Sequence, residues 1–360
     1  MAVLQSKKNN LTADFIIVGQ GIAGSVMALS LINAGYSVII INHSSLSSSS
    51  KVAGGIWNPI VFKRLTKSWM ADELVTELNS FYEHWENIFE TSLICKREII
   101  KPFTEDQEKN LWLKKSNDNE SKNSFLDKNT YEKYQLDENY QIKSYSKVLQ
   151  AGNLDVVKFL EQTKNFLIET QMYLEDEFDY NQLDILDSEV HYKNMSASNI
   201  MFCEGYLISK NPYFNWIPMK PAKGETLTIE SRYIHLSNDI FNKGFFIMPL
   251  GNHLFKIGAT YAWDELNDSP TEEAKQELIQ KLNTVITTPY KIISHEAGVR
   301  PSVTDRRPVV GTHPVYKNIF IFNGMGTKAV MIAPYFAKQL INAIKNNSSI
   351  NKEVSPARFL

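Results

Sequence analysis

Cysteine is scarce in this sequence: Cys95 and Cys203 are the only two in 360 residues. Two cysteines so far apart exclude a disulfide framework and a zinc centre built on closely spaced thiolates. The seven histidines are scattered, with no two of them four residues apart, so no metal site is expected. Charge of one sign is lacking too. Lys and Arg total 38 against 40 Asp and Glu, a net charge of -2, without the basic excess of a DNA-binding surface. No stretch approaches the roughly 18 uninterrupted apolar residues that suggest a membrane span, and Met1 to Asn10 lacks a signal-peptide apolar core. The expectation is a soluble, cytoplasmic protein with no DNA or membrane partner. At roughly 100–200 residues per domain, a chain of 360 should form two domains.

What is present first is a nucleotide-type opening. Phe15 to Val18 is a short apolar run, as in a strand buried on both faces of a parallel sheet. Gly19-Gln20-Gly21-Ile22-Ala23-Gly24 follows, then Val26, Leu29, Leu31 and Ala34 at helical spacing, with Gly35 placed to end the helix. Val38 to Ile41 is a second buried strand. Glycines at this spacing arise by chance, but between a strand and a helix they define a βαβ unit, Asp14 to Asn42, for the ADP half of a dinucleotide. Gly19 permits the tight turn, Gly21 lets the backbone approach the pyrophosphate, and Gly24 lets helix and strand pack closely. Ile22 and Ala23 head a helix whose free N–H groups and dipole favour phosphate. The loop alone admits NAD and FAD equally, and a glycine turn with no ligand is the plain alternative. The second strand should end in an acid for the ribose hydroxyls, yet it ends in Asn42, followed by His43. An amide still bonds a hydroxyl, without the strengthening that charge brings.

Further along, Trp69 to Phe89 has the pattern of a long amphipathic helix, and Leu154 to Leu167 reads as another. Thr104 to Lys147 is rich in Lys, Asn, Asp and Glu and reads as an exposed excursion with some short structure. Phe245 to Leu250 and Leu254 to Ala259 read as strands joined by a tight turn at Gly251-Asn252. Ser269-Pro270-Thr271-Glu272 has the form of a capping box opening a helix to about Ile286. Asn318 to Phe322 is a buried strand before Asn323-Gly324-Met325-Gly326 and a final helix bearing Phe336, Leu340 and Ile344. Nucleotide-type units thus stand at both ends of an antiparallel-looking middle. The fold class is α/β: a Rossmann-like, doubly wound domain (12–62, 148–218 and 294–360) interleaved with an α+β substrate domain (63–147 and 219–293) built on a large mixed or antiparallel sheet.

Five segments in order resemble the D-amino-acid oxidase/glycine oxidase (DAO-type) family of FAD-dependent oxidoreductases. They are the glycine loop; Ser48-Ser49-Ser50 with Ala53-Gly54-Gly55; Met201 to Gly205; Pro221-Ala222-Lys223-Gly224-Glu225-Thr226-Leu227; and Gly298-Val299-Arg300-Pro301 with Asp305 to Pro308, Gly311 and Asn323 to Lys328. The resemblance implies FAD, with Gly19, Gly21, Ile22, Ala23, Gly24, Asn42, His43, Ser49, Ser50, Ala53, Gly54, Gly55, Cys203, Gly205, Gly324, Met325, Gly326, Thr327 and Lys328 as its contacts; neither cysteine sits where a flavin tether is expected, so non-covalent binding is expected. It also implies oxidation of a small amine or amino acid by hydride transfer from the α-carbon to flavin, hydrolysis of the imine, and passage of electrons to O2 or another acceptor.

Arg300 falls where the family's arginine binds the substrate carboxylate, and a guanidinium grips a carboxylate with two parallel hydrogen bonds. Without the resemblance, the residue alone also fits a structural arginine paired with Asp305 or Glu296. Phe246 falls where glycine oxidases carry a tyrosine, and Tyr261 falls at another pocket-facing position; together with Thr327 these complete the expected substrate contacts. Three other readings stand beside this one: oxidative cleavage of a carboxymethylaminomethyl group on a modified tRNA uridine, a NAD(P)-dependent dehydrogenase, and a non-catalytic flavin-fold binding protein.

Overall fold

A computed structural model describes residues 11–43, 49–118 and 123–360. Met1 to Asn10 and Ser44 to Ser48, including much of the serine-rich loop, lie outside the described residues. By contacts the chain divides into two compact units. One takes residues 11–43 with Leu160–Pro221 and Pro301–Leu360; the other takes residues 49–159 with Ala222–Arg300.

The first unit is built on strands β1 (Leu11–Val18), β2 (Val38–Asn42), β3 (Tyr173–Glu175) and β4 (Met195–Phe202). Together with Ile319–Asn323 they form a parallel sheet in the order β3-β2-β1-β4-(319–323). Val309–Thr312, Val190–Tyr192 and Leu183–Ile185 extend it antiparallel. Helix α1 (Ile22–Asn33) is the crossover between β1 and β2. The strand sequences Phe15-Ile16-Ile17-Val18 and Val38-Ile39-Ile40-Ile41 are buried throughout, because both faces of a parallel sheet are covered. Ile16, Val18, Ile39, Ile41, Ile200 and Phe202 belong to one core cluster.

The second unit carries a nine-stranded mixed sheet. Its strands β5 (Ala222–Glu230), β6 (Phe246–Gly251), β7 (Leu254–Gly258) and β8 (Lys291–Arg300) pair antiparallel in the order β8-β5-β7-β6. Ile240–Asn242 follows and pairs parallel with Ile94–Pro102, which pairs antiparallel with the 14-residue strand Gln141–Leu154. Apolar residues on alternate positions, Leu227 and Ile229, Ile247, Phe255 and Ile257, meet Leu278 and Leu282 of the helix Glu272–Asn283 in one core.

Several local expectations are corrected. Among its described residues, the polar stretch from 104 on carries a helix at Asp106–Ser116 and strands at Tyr131–Gln135 and Gln141–Leu154. Its anchor is Trp112, fully buried and donating Nε1–H to the Asp127 carbonyl at 2.9 Å. The hairpin turn falls one residue later than expected: Gly251 pairs with Leu254, leaving Asn252 and His253, both at positive φ, as the two loop residues. The helix expected from Ser269 starts at Glu272. Its cap is Thr271, whose Oγ1 accepts from Ala274 N, since the Thr271 amide and hydroxyl are also bound to Glu225. Among the described residues, no helix is long and apolar enough to cross a membrane.

Candidate functional site

The glycine loop turns where its spacing says it should. Gly19 has φ +97°, and a Cβ there would lie 2.7 Å from the Cys203 carbonyl oxygen at the end of β4. A Cβ on Gly24 would lie 1.9 Å from the Gly19 carbonyl oxygen. The loop is therefore a cradle that side chains would fill. Gly21 is the N-cap of α1, so Ile22 and Ala23 are in its first turn, and that turn has neither a side-chain cap nor an acidic residue. Its electropositive end suits a diphosphate. The loop is braced from two sides. Asn42 Oδ1 accepts from Gln20 N at 2.9 Å, and Gln20 Nε2 donates to the Leu160 carbonyl at 2.9 Å. His43 follows directly at the end of β2.

The C-terminal segment joins the same unit. Asn323 Nδ2 donates to the Gly205 carbonyl at 3.0 Å, and Asn323 Oδ1 accepts from Gly324 N at 2.7 Å. One amide thus ties the turn after Cys203 to the turn after residues 319–323. Gly324 has φ +75°, and a Cβ there would lie 2.7 Å from Val303. Gly326 N donates to the Pro301 carbonyl, and Gly326, Thr327 and Lys328 form a short 3-10 turn that leads into the helix Ala329–Lys345. Burial pushes the Lys328 amine down to about 8. The structure brings Gly19, Gly21, Ile22, Ala23, Gly24, Asn42, His43, Cys203, Gly205, Gly324, Met325, Gly326, Thr327 and Lys328 into this one unit.

Ser49, Ser50, Ala53, Gly54, Gly55, Phe246, Tyr261 and Arg300 belong to the second unit. The short helix Ser49–Val52 lies against β8, and Gly298 makes this possible: a Cβ there would meet Ser49 Cα at 3.0 Å. The Phe246 ring sits in a slot between Gly54 and Gly258, whose added Cβ atoms would come within 3.2 and 2.7 Å of it.

Arg300 ends β8 with its guanidinium lying flat over Gly224 of β5, where a Cβ would stand 1.9 Å from Nη2. Nη1 donates to the Lys223 carbonyl at 3.1 Å and Nη2 to the Thr260 carbonyl at 3.2 Å. The Tyr261 ring covers the guanidinium, with Cζ 4.1 Å from the ring centroid. Burial lowers the guanidinium's pKa and Tyr261 raises it, but an arginine stays charged. Among the described residues Arg300 has no carboxylate partner. Glu296 is taken by Lys256 and Asp305 by Arg358. A guanidinium has five N–H groups, so two bonds to carbonyls leave a fork available for an anion.

The residues behind Arg300 lie in the Pro221–Leu227 segment that carries the resemblance, but no site role was expected of them. Lys223 and Glu225 flank Gly224 and are fully buried. Lys223 Nζ donates to Asn267 Oδ1 at 2.9 Å and to the Ser269 carbonyl at 2.6 Å. Glu225 accepts from Thr271, and His295 Nε2 lies 2.8 Å from Glu225 Oε2. Both side chains tie the 260–271 loop to β5, and this loop carries Tyr261 and the Thr260 carbonyl. The available signal was the Lys-Gly-Glu alternation itself, two charges on one face of a strand with a glycine between them on the other. In the first unit Glu204, next to Cys203, accepts from Tyr180 and Asn211, while burial pushes its carboxyl up to about 7.

Comparisons with known proteins bear on the family and the fold. The family model DAO, described as FAD dependent oxidoreductase, matches residues 14–343. A glycine oxidase of Bacillus licheniformis is 27% identical over 129 residues, which are 35% of this chain and 35% of that enzyme. The tRNA 5-methylaminomethyl-2-thiouridine biosynthesis bifunctional protein of Legionella pneumophila is 22% identical over 217 residues, 50% of this chain and 32% of the relative. These curated relatives are thus matched over only about a third of their length. In structure, the iminodiacetate oxidase of Chelativorans sp. superposes with a TM-score of 0.77 at 15% identity, covering 95% of this chain and 98% of the other. The likeness in structure is one of fold.

Proposed function

Since the chain belongs to the DAO family of FAD-dependent oxidoreductases, we propose that it oxidises the C–N bond of a small amine or amino acid by hydride transfer to flavin, with the substrate carboxylate held by Arg300. The observation that carries this reading is a guanidinium pinned by two carbonyls and an aromatic ring, with no acid of its own. Nothing in the described fold consumes its charge, and a carboxylate-bearing ligand would. Holding that end of a small molecule restricts how its α-carbon lies, which is the positioning part of catalysis. Bound FAD supplies the two-electron acceptor for the hydride that leaves as the C–N bond becomes C=N; water then hydrolyses the imine. The loop residues Gly19 to Gly24 would hold the diphosphate. Gly324 to Lys328 would offer N–H groups, and the Lys328 amine positive charge below about pH 8, to the electron-rich reduced ring. O2 or another acceptor would then take the electrons.

The test is anaerobic mixing of the yellow holoprotein with a panel of amino acids and N-substituted glycines. Bleaching of the flavin by a carboxylate substrate, but not by its amide, is the expected result. A protein that binds FAD and is bleached by no member would be the non-catalytic reading. A second reading keeps the same arginine but places a carboxymethylaminomethyl group of a tRNA uridine on it. It is favoured by the exposed rings of Tyr261 and Trp263, 53% and 57% accessible and 6.2 Å apart, which offer a base a stacking surface. Bleaching by hypomodified tRNA alone would select it.

A further inference from the structure

We propose that Glu175 supplies the carboxylate for the ribose hydroxyls of the cofactor's adenosine, a role that the neutral Asn42 at the end of β2 does not fill. The proposal rests on FAD occupying the Gly19–Gly24 cradle. Asn42 stands where the acid of such a unit belongs, but its amide is committed elsewhere. Its Oδ1 accepts from Gln20 N at 2.9 Å and its Nδ2 donates to Tyr173 Oη at 3.2 Å, so it fixes the glycine loop to the neighbouring strand.

That strand is β3, parallel to β2, with Asn42 and Glu175 in register. Residues in register on adjacent strands point to the same face, and the strands are about 4.8 Å apart. The Glu175 side chain therefore leaves the sheet beside Asn42, at the same level above the strand ends. It is longer by one methylene and it is charged. Tyr173, two residues earlier on the same face, donates to Glu175 Oε2 at 3.1 Å, and Lys164 Nζ donates to the same oxygen at 2.8 Å while lying 4.9 Å from the Tyr173 ring centroid. These donors orient the carboxylate. The chain Gln20–Asn42–Tyr173–Glu175 links the phosphate loop to an oriented acid at the sheet edge. Bonds from hydroxyls to a carboxylate are shorter and about twice as strong as to a neutral acceptor. A ribose diol is thus preferred here to a deoxyribose, and a 2′-phosphate is repelled.

The test uses the full-length apoprotein, titrated with FAD, ADP and 2′-deoxy-ADP. Wild type should bind ADP about 10-fold more tightly than 2′-deoxy-ADP, as the charged bond requires. Glu175→Gln should weaken FAD and ADP by about that factor, leave 2′-deoxy-ADP nearly unchanged, and so abolish the preference. Asn42→Asp in the Glu175→Gln background should restore part of it. Unchanged FAD affinity and preference in Glu175→Gln would overturn the proposal. So would an equal loss for ADP and 2′-deoxy-ADP, or a Lys164→Met variant that loses the preference as fully, because either result makes the Lys164–Glu175 pair a structural tie. Uptake of FAD by wild type in the same titration reports separately on the cradle.

Discussion

Replacing Gly224 by alanine adds one methyl group where the Arg300 guanidinium lies. The new Cβ would stand 1.9, 2.1 and 2.2 Å from Nη2, Cζ and Nη1, against the 3.4–4 Å of ordinary contact. Gly224 is not at positive φ, so the backbone accepts alanine without strain. The arginine head is the far end of a long side chain and must therefore be what moves. In moving it loses its bonds to the Lys223 and Thr260 carbonyls and its place under Tyr261. Hydrogen bonds to a charged group contribute about 1.5–3 kcal/mol each, and the displaced guanidinium recovers much of that from water. The net loss of stability is therefore expected to be only about 1–3 kcal/mol, and the protein should fold. Carboxylate binding has no such compensation. Apparent affinity for a carboxylate substrate should fall roughly 10- to 100-fold, the same range as for Arg300→Ala. The assay is the KM for a carboxylate substrate and the Kd of a carboxylate inhibitor, measured on Gly224→Ala, Arg300→Ala and the double variant. Because both changes act on one interaction, the double variant should be no worse than Arg300→Ala alone. A folded Gly224→Ala with wild-type KM, or losses that simply add, would refute the reasoning.

Two further outcomes follow from the first unit. Gly24→Val should give a folded or nearly folded protein without the yellow colour, because the new side chain enters the turn at 1.9 Å from the Gly19 carbonyl oxygen; FAD retention measured by absorbance decides it. Glu204→Gln should change the pH dependence of stability. The carboxyl is raised from 4.5 to about 7 by burial, so its neutral form is favoured in the fold; its contribution is fully present below pH 4.5 and is lost as pH rises to about 7. At about 1.4 kcal/mol per pH unit, the loss is on the order of 3 kcal/mol. The variant should match wild type near pH 4.5 and exceed it by up to about that amount at pH 8 in urea denaturation. A constant difference across this range would show that the fold does not raise the Glu204 carboxyl.

The features that were legible in the sequence are those written in local spacing. The glycine loop, the two buried strands beside it and the helix around Leu74, Leu78 and Tyr82 all follow from periods of two or 3.6 residues and from glycines at fixed offsets. The site as a set of partners was not, because partners come from register between distant strands. Asn42 reads as a missing acid along the chain. Only the pairing of β2 with β3 places Glu175 beside it, and a three-residue strand such as Tyr173–Glu175 has too little pattern to announce itself. Arg300 could be named from its motif, but not why a glycine must precede Glu225: the reason is the pairing of Gly224 with Gly298, two residues before Arg300. The capping box failed for a related reason. Ser269 and Thr271 are both chemically able to cap, and the choice is made by Glu225, 46 residues earlier. The same carboxylate that fixes the helix start also fixes the loop bearing Tyr261, so substitutions at Glu225 bear on Arg300 even though the two side chains lie on opposite faces of the sheet.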